Sequence, residues 1–287
     1  MKIGDILKEK KNTLSFEVFP PKNDANIGSI MSSVKEIATL KPDFMSVTYG
    51  AGGGNSKKTL DIAKEVQSMG VTALAHLTCV GTTRESIKEK LAELKEAGIS
   101  NILALRGDRP KDELADKTGD FKYASELVEE ITRFGGFSIG AACYPEGHTE
   151  CISRSQDLEN LKIKVESGCS FITTQMFFDN SALYSFLYRL SEKNIDVPVV
   201  AGVMPITNAK QIIRSCELSG ATLPPRFRMI ADKYGDNPLA MKQAGIAYAT
   251  EQIIDLYANG VNAVHVYTMN KPDVAEAIKN NISEIIK

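Results

Sequence analysis

Glu17 lies inside an apolar run, Leu14-Ser-Phe-Glu-Val-Phe19, with Phe16, Val18 and Phe19 around it. Apolar surroundings disfavour the charged form of a carboxyl, so such an acid can hold a proton near neutral pH and give it to a substrate. The plainer alternative is a buried partner for a basic residue. A second concentration of charge, Arg106-Gly-Asp108, directly follows the apolar run Ile102 to Leu105. Buried charges need partners or a purpose, although a turn carrying a surface Arg-Asp pair would read the same way. His76 and His148 are further candidates, but neither belongs to the His-x-His pair of metal-dependent barrel hydrolases. Hydrogen-bonding roles and no metal are expected of them. Tyr49-Gly-Ala-Gly-Gly-Gly54 is a glycine-rich turn before a helix, suited to close backbone approach by a phosphate or a flat ligand, or to a flexible loop. No strand-like run holds an interior lysine, which argues against a Schiff-base aldolase.

These residues need elements to position them, and hydrophobic patterning supplies eight strand–helix units. The expected strands are 14–19, 44–48, 72–78, 102–105, 138–143, 171–175, 197–203 and 263–267. Helical patterns follow each strand, several closed by a glycine such as Gly70, Gly98 or Gly168. An insertion, 221–238, precedes a long helix over 239–259. Alternating strands and helices imply a parallel sheet, and eight units in a chain of 287 residues imply a single-domain (β/α)8 TIM barrel of class α/β. A doubly wound open sheet ranks second, because no strand runs into a G-x-G-x-x-G turn. In a barrel the site lies at the C-terminal strand ends. Read in order, those ends carry Glu17, Thr48, His76, Arg106 with Asp108, Tyr144 with His148, Gln175, Met204-Pro205 and Tyr267. Packing alone does not call for a polar residue at nearly every mouth position.

Composition narrows the class further. The net charge is −2, with 43% hydrophobic and 24% charged residues, so no basic stripe points to nucleic acid or a membrane surface. The N-terminal segment is charged and does not read as a signal peptide. No run reaches the roughly 18 apolar residues of a membrane helix. Five cysteines without C-x-x-C or zinc spacing fit reduced thiols in a cytoplasm.

Six ordered blocks carry a family resemblance: Ser15-Phe-Glu-Val-Phe-Pro-Pro-Lys22, Ser46-Val-Thr-Tyr-Gly-Ala51, His76-Leu-Thr-Cys79, Leu105-Arg-Gly-Asp108, Ala142-Cys-Tyr-Pro-Glu-Gly-His148 and Thr174-Gln-Met-Phe-Phe-Asp179. Over about Leu14 to Asn270 the chain resembles methylenetetrahydrofolate reductase of the bacterial type, with the catalytic barrel as its one domain, 1–287. The resemblance implies a flavin, FAD or the shorter FMN, reduced by NAD(P)H or by a partner electron-transfer subunit. The reduced flavin then reduces methylenetetrahydrofolate to methyltetrahydrofolate in a second half-reaction, a step of one-carbon metabolism and methionine biosynthesis. An oligomer is also expected. By position, Glu17 resembles the general acid and Asp108 the aspartate near flavin and pterin. Gln175, Gln211, Tyr267 and Lys271 resemble substrate contacts. Thr48, Tyr49, Ala51, His76, Arg106, Gly107, Asp108, Ala124, Tyr144, His148, Asp157, Asn160 and Lys164 fall on flavin-contacting positions.

Three positions depart from the enterobacterial pattern. Ile163 replaces a flavin-binding Arg, Ser215 an aromatic that stacks on ligands, and Lys271 an Arg that meets the substrate. These substitutions bring forward a partner protein as electron donor. Two further possibilities share the architecture: a non-catalytic flavin- or folate-binding subunit of a larger redox complex, and a different flavin barrel such as a proline-oxidising enzyme.

Overall fold

The computed structural model describes residues 1–21, 26–49, 56–108 and 119–287. Eight parallel strands close into a barrel in sequence order: β1 (Thr13–Val18), β2 (Phe44–Val47), β3 (Thr72–Thr78), β4 (Asn101–Leu105), β5 (Ser138–Cys143), β6 (Phe171–Thr174), β7 (Val199–Val203) and β8 (Ala263–Tyr267). Closure comes from β1 pairing with β8, with Ser15 opposite His265 and Glu17 opposite Tyr267. Around it run α1 (Ile3–Glu9), α2 (Ile27–Thr39), α3 (Ser56–Ser68), α4 (Arg84–Glu96), α5 (Ala124–Phe134), α6 (Arg154–Glu166), α7 (Asn180–Glu192), α8 (Ile212–Ser219), α9 (Pro225–Tyr234), α10 (Pro238–Ala258) and α11 (Pro272–Asn281). The open-sheet alternative is excluded by the closed topology.

Each strand divides its side chains between two environments because successive residues point to opposite faces. Leu14, Phe16 and Val18 of β1, and Val264 and Val266 of β8, join the large core between barrel and helices. Phe44, Leu74, Leu103, Phe171, Val200 and Ala263 belong to a separate cluster that also contains Ile3 and Ile6 of α1. That second cluster is the barrel floor, plugged from below by α1. Above it the same strand faces turn polar, with Ser15, Ser46, His76, Thr173 and His265 all buried. A packed apolar floor beneath a buried polar layer confines the chemistry to one end.

The sequence pattern did not anticipate α1. Its Lys2 N-cap makes no side-chain hydrogen bond. Instead the barrel floor captures the helix start: Ile3 N–H donates to Asn101 Oδ1 (2.8 Å) and Gly4 N–H to Ser138 Oγ (3.2 Å). The Asn101 amide also donates to the Met1 and Ala73 carbonyls (3.0 and 3.2 Å). Asn101→Ala therefore strands at least one buried backbone group and is expected to cost about 1–3 kcal/mol, read as a lower urea midpoint with the barrel retained.

Two other expectations change in detail. The helical pattern after β7 begins as a short 3-10 turn, Ala209–Gln211, before α8. The insertion expected over 221–238 contains α9, opened by Pro225 at its first turn, where the missing N–H is no loss. This excursion packs on its own cluster of Phe178, Met204, Ile206, Ile212, Phe227 and Met241. The Phe227 ring sits between Phe178 and Tyr248, with centroids 5.6 and 4.4 Å away. Gly245 lets α10 approach the backbone after β7, where a Cβ would lie 1.9 Å from the Ile206 carbonyl oxygen.

Candidate active site

The polar layer converges on Glu17. Its Oε2 is 3.4 Å from Ser46 Oγ on β2, 3.7 Å from His76 Nε2 on β3 and 3.9 Å from His265 Nε2 on β8. Thr268 Oγ1 donates to the Glu17 carbonyl (2.7 Å). Asn270 brackets the strand end by accepting from Phe19 N–H and donating to the Phe19 carbonyl, both at 2.9 Å. The β8 loop that does this carries two consecutive left-handed residues, Met269 and Asn270, each with φ 55°. Backbone strain of this kind persists only where the surroundings over-determine it, and here it clamps the mouths of β1 and β8 together.

His76 is buried, and its Nε2 makes no hydrogen bond among the described residues. Burial lowers its pKa from 6.5 to about 4, opposed by the Glu17 carboxylate and assisted by His265, so the ring is neutral at pH 7. The unfolded chain would titrate this residue near 6.5. Between pH 6.5 and 4 the unfolded state therefore binds a proton that the fold refuses. Stability is full above that window and falls as pH drops through it, by roughly 3 kcal/mol across the window. His76→Gln is expected to shrink the difference between denaturant midpoints measured at pH 7 and pH 4.5.

A second group of candidates gathers at the ends of β4 and β5. Arg106 grips Glu150 with two hydrogen bonds of 2.7 Å, and its pKa is raised mainly by that contact. The Tyr144 ring meets His148 edge-on, centroids 4.6 Å apart. Burial, helped by Asp157, pushes Tyr144 up to about 12. Burial, followed by the nearby Arg106, pushes His148 down. Asp157 of α6 accepts from His148 N–H (3.1 Å) and from the Cys151 thiol (3.5 Å), and Asn160 donates to Cys151 Sγ (3.7 Å). Lys164, one turn further along, donates to the Ala142 carbonyl (2.6 Å), and its pKa is lowered by burial. Arg106, Tyr144, His148, Asp157, Asn160 and Lys164 are thus brought together by β4, β5 and α6.

Thr48, Tyr49 and His76 lie on the β2–β3 side. Thr48 N–H donates to the Val18 carbonyl (3.0 Å), and Tyr49 has the Lys90 ammonium 5.5 Å from its ring centre. Ala124 is the first residue of α5, tied to β3 through the Cys79 thiol and the Tyr123 carbonyl (3.7 Å). Gly107 takes φ +89°, and a Cβ there would meet Thr78 and Val80 at 3.1 Å. Asp108 is exposed beyond it. Ala51, with Gly50 to Gly54 of the glycine-rich turn, lies outside the described residues.

The remaining candidates sit on the β6–β8 side. Gln175 N–H donates to the Cys143 carbonyl (2.7 Å), while its own Oε1 accepts from Met176 N–H (2.9 Å). The Tyr267 hydroxyl crosses over β7 to donate to the Thr174 carbonyl of β6 (2.6 Å), and its pKa is raised by burial and then by Glu17. Lys271 Nζ donates to Thr207 Oγ1 (2.7 Å), joining the β8 and β7 loops. Gln211 is exposed on the 3-10 turn, Ser215 is buried on α8, and Ile163 is 52% exposed on α6.

Several partners were not among the expected residues. Glu150 holds Arg106, Ser46 and His265 flank Glu17, and Ser15 holds His265 from behind. The signal for the last three was parity, since Ser15 and Glu17 share a strand face, as do His265 and Tyr267.

The arrangement has the shape of a ligand mouth with a neutral imidazole and a carboxyl at its base. The fit to a flat polar cofactor can be tested on the chain itself. His76 Nε2 and Tyr49 Oη are both buried and have no hydrogen-bond partner among the described residues, and buried polar atoms demand one. The edge of an isoalloxazine ring would satisfy such groups.

Comparison with known proteins decides the family. The methylenetetrahydrofolate reductase profile matches residues 2–283. The chain belongs to the methylenetetrahydrofolate reductase family. It is 35% identical over 266 residues to the 5,10-methylenetetrahydrofolate reductase of Pectobacterium carotovorum subsp. carotovorum, covering 92% of this chain and 88% of that protein. Against the enzyme of Escherichia coli (strain K12) it is 34% identical with the same coverage. Methylenetetrahydrofolate reductase (NADH) 1 of Arabidopsis thaliana is 33% identical over 99% of this chain, which spans 50% of the plant protein. A solved structure of an uncharacterised Clostridium thermocellum protein that binds two copies of 5-methyl-5,6,7,8-tetrahydrofolic acid superposes with a TM-score of 0.65. It covers 98% of this chain and 97% of that one at 14% identity, a likeness of fold alone. Family membership makes the chain an oxidoreductase that reduces methylenetetrahydrofolate to methyltetrahydrofolate in one-carbon metabolism. Among the described residues no helix is long and apolar enough to cross a membrane.

Proposed function

We propose that this chain, as one catalytic unit, reduces methylenetetrahydrofolate by a two-stage exchange in which electron donor and folate use the barrel mouth in turn. The observation that carries this reading is the convergence of Glu17, His76 and Ser46 at one depth, above a sealed apolar floor. A bound flavin, FAD or FMN, would supply hydride acceptance and donation. The chain does the rest. Tyr49 and His76 would hold the ring edge, and Arg106, His148, Asp157 and Lys164 would hold the remainder of the cofactor. Ile163 adds no guanidinium at its position, which removes one possible phosphate fork.

Glu17 donates its proton to the departing nitrogen of the folate's five-membered ring. The carbon–nitrogen bond breaks, and the bridging carbon becomes part of an iminium cation, the form that accepts hydride. The Asp108 carboxylate stabilises that cation across the mouth. Gln175 hydrogen-bonds the pterin, while Tyr267, Gln211 and Lys271 orient it from the β7–β8 side. His76, neutral at pH 7, offers a hydrogen bond beside Glu17 without adding a competing positive charge.

The direct test is product analysis. The purified chain, supplied with flavin, methylenetetrahydrofolate and a chemical reductant, is expected to yield methyltetrahydrofolate over many turnovers. Flavin uptake without turnover would instead favour a non-catalytic subunit, and oxidation of an amino acid with none of folate would favour a different flavin barrel. A second reading of the donor rests on Ser215, a small buried residue where the enterobacterial pattern has a stacking aromatic. It assigns electron supply to a partner redox protein and an oligomeric assembly, and brisk NADH oxidation by the isolated chain would contradict it.

A further inference from the structure

Glu17 sits where two strands run out. The backbone pairing of β1 with β8 ends at Glu17 opposite Tyr267. Just beyond, Pro20 and Pro21 have no N–H with which a ladder could resume. Side chains of the β8 loop continue the pairing instead. Thr268 Oγ1 donates to the Glu17 carbonyl (2.7 Å). The Asn270 amide takes both backbone groups of Phe19: its Oδ1 accepts from Phe19 N–H and its Nδ2 donates to the Phe19 carbonyl, each at 2.9 Å. A residue on a neighbouring antiparallel strand would exchange the same two bonds. The amide can face only one way, since the N–H needs an acceptor and the carbonyl a donor. On the other side of β1, Thr48 N–H donates to the Val18 carbonyl (3.0 Å). The carbonyls of Glu17, Val18 and Phe19 and the Phe19 N–H are thus all fixed.

The Glu17 side chain is held far less tightly. Its nearest partners among the described residues are Ser46 Oγ at 3.4 Å, at the limit of a hydrogen bond, and the Nε2 atoms of His76 and His265 at 3.7 and 3.9 Å, beyond one. No short contact among them aims the carboxyl, so its depth in the mouth is set by the backbone it stands on. Met269 and Asn270 both take φ 55°, a left-handed conformation that Asn adopts readily and Met does not. Met269 is 37% exposed, so its own packing does not account for the turn. The bonds of Thr268 and Asn270 to β1 do, together with Lys271 N–H donating to the Thr268 carbonyl (3.1 Å).

We propose that Asn270 is a positioning residue for folate reduction, one whose amide fixes the end of β1 and so the depth at which Glu17 presents its proton. The inference rests on the reading of Glu17 as the general acid. Asn270 acts through the Phe19 backbone and neither gives nor takes a proton. Its removal leaves the acid in place but poorly aimed, and misplacing a reacting group by about 1 Å can cost on the order of 10²-fold in rate.

The test uses Asn270→Gly, which keeps the left-handed backbone and deletes both bonds. Flavin-loaded protein is reduced chemically and mixed rapidly with methylenetetrahydrofolate. The saturating rate of reoxidation is expected to fall about 10- to 100-fold, while the folate concentration giving half that rate changes by less than about twofold. Electron entry from the donor should be unchanged. In a Glu17→Gln background the same substitution should add no further loss, because no proton is left to aim. Asn270→Asp keeps the acceptor for Phe19 N–H and loses the donor. It should fall between wild type and the glycine variant, and it carries the same comparisons if the glycine variant fails to fold. Independently of catalysis, hydrogen exchange of the ligand-free chain should show Phe19 N–H protected in the wild type and fast in Asn270→Gly. Equal losses in both half-reactions, a change confined to the half-saturating concentration, losses that add to that of Glu17→Gln, or an unprotected Phe19 N–H in the wild type would each overturn the proposal while leaving Glu17's role intact. Full folate turnover by Glu17→Gln would instead overturn the reading beneath it.

Discussion

Glu17→Gln is expected to fold, take up flavin and accept electrons from its donor as the wild type does, yet to lose about 10²–10⁴-fold in the folate half-reaction. The amide keeps the size of the carboxyl and can still reach Ser46, so neither the β1–β8 clamp through Thr268 nor the barrel pairing is disturbed. What disappears is the acid that the proposed mechanism assigns to Glu17. His76 does not replace it, because burial holds its pKa near 4 and it carries no proton to give at neutral pH. The contrast between half-reactions is the informative part. Opening the folate ring requires an acid, whereas electron entry from the donor does not. Rapid-mixing measurement of each half separately, with the same preparation, reads both. Equal loss in both halves would place Glu17 in the packing of the site and outside its chemistry.

The second large effect is expected at Gly202, a residue with no chemistry of its own. Tyr267 reaches from β8 to the Thr174 carbonyl on β6, and the strand it must cross is β7. Gly202 is the point of crossing. Its N–H donates to Thr174 Oγ1 (2.8 Å), and a Cβ there would lie 2.4 Å from the Thr174 carbonyl oxygen and 2.5 Å from the Tyr267 hydroxyl. One neighbour is backbone and the other is held by its hydrogen bond, so neither yields cheaply. Gly202→Ala should therefore destabilise the chain by about 3 kcal/mol through overpacking and a lost buried hydrogen bond. It should also raise the KM for folate well beyond any change for the donor, because the displaced ring is the β8 wall of the mouth. Thermal melts and half-reaction kinetics read the two effects separately. A variant with wild-type stability and folate KM would show that the Tyr267 strut is dispensable.

The barrel was legible in the sequence because its strands are short, mostly apolar runs spaced by helical patterns. Thr72–Thr78, Ser138–Cys143 and Ala263–Tyr267 occupy the expected residues. Helix ends were legible where glycine follows, as at Gly98 and Gly168, both with positive φ. Helix α1 was not, because in Ile3–Glu9 only Ile3, Gly4 and Ile6 are buried and the helix start is held by Asn101 and Ser138, about a hundred residues away. Local pattern carries no trace of such a contact. Helix α9 was hidden by Pro224-Pro225, which reads as a loop until the second proline is placed in a first turn.

The candidate site divides in the same way. Strand ends named Glu17, His76, Arg106 and Tyr144 because charge or an aromatic interrupts an apolar run. The residues behind them stayed out of view. His265 sits in the middle of Ala-Val-His-Val-Tyr and looks like part of the core, and Ser15 and Ser46 are small enough to pass for strand filler. Their importance lies in partners on neighbouring strands, which register alone reveals. Glu150 follows the same logic: nothing near it in sequence marks it as the counter-charge of Arg106, 44 residues earlier.

The central claim is that one chain binds a flavin and passes electrons through it to a folate. The most direct measurement is the visible spectrum of the purified protein, followed without oxygen as NADH and then methylenetetrahydrofolate are added. The expected record is a yellow protein that bleaches with NADH and recovers its colour with the folate. A flavin that ignores NADH but, once reduced chemically, is reoxidised by the folate keeps the folate chemistry in this chain and assigns electron supply to a partner. A protein that takes up no flavin, or whose reduced flavin is indifferent to the folate, would contradict the account.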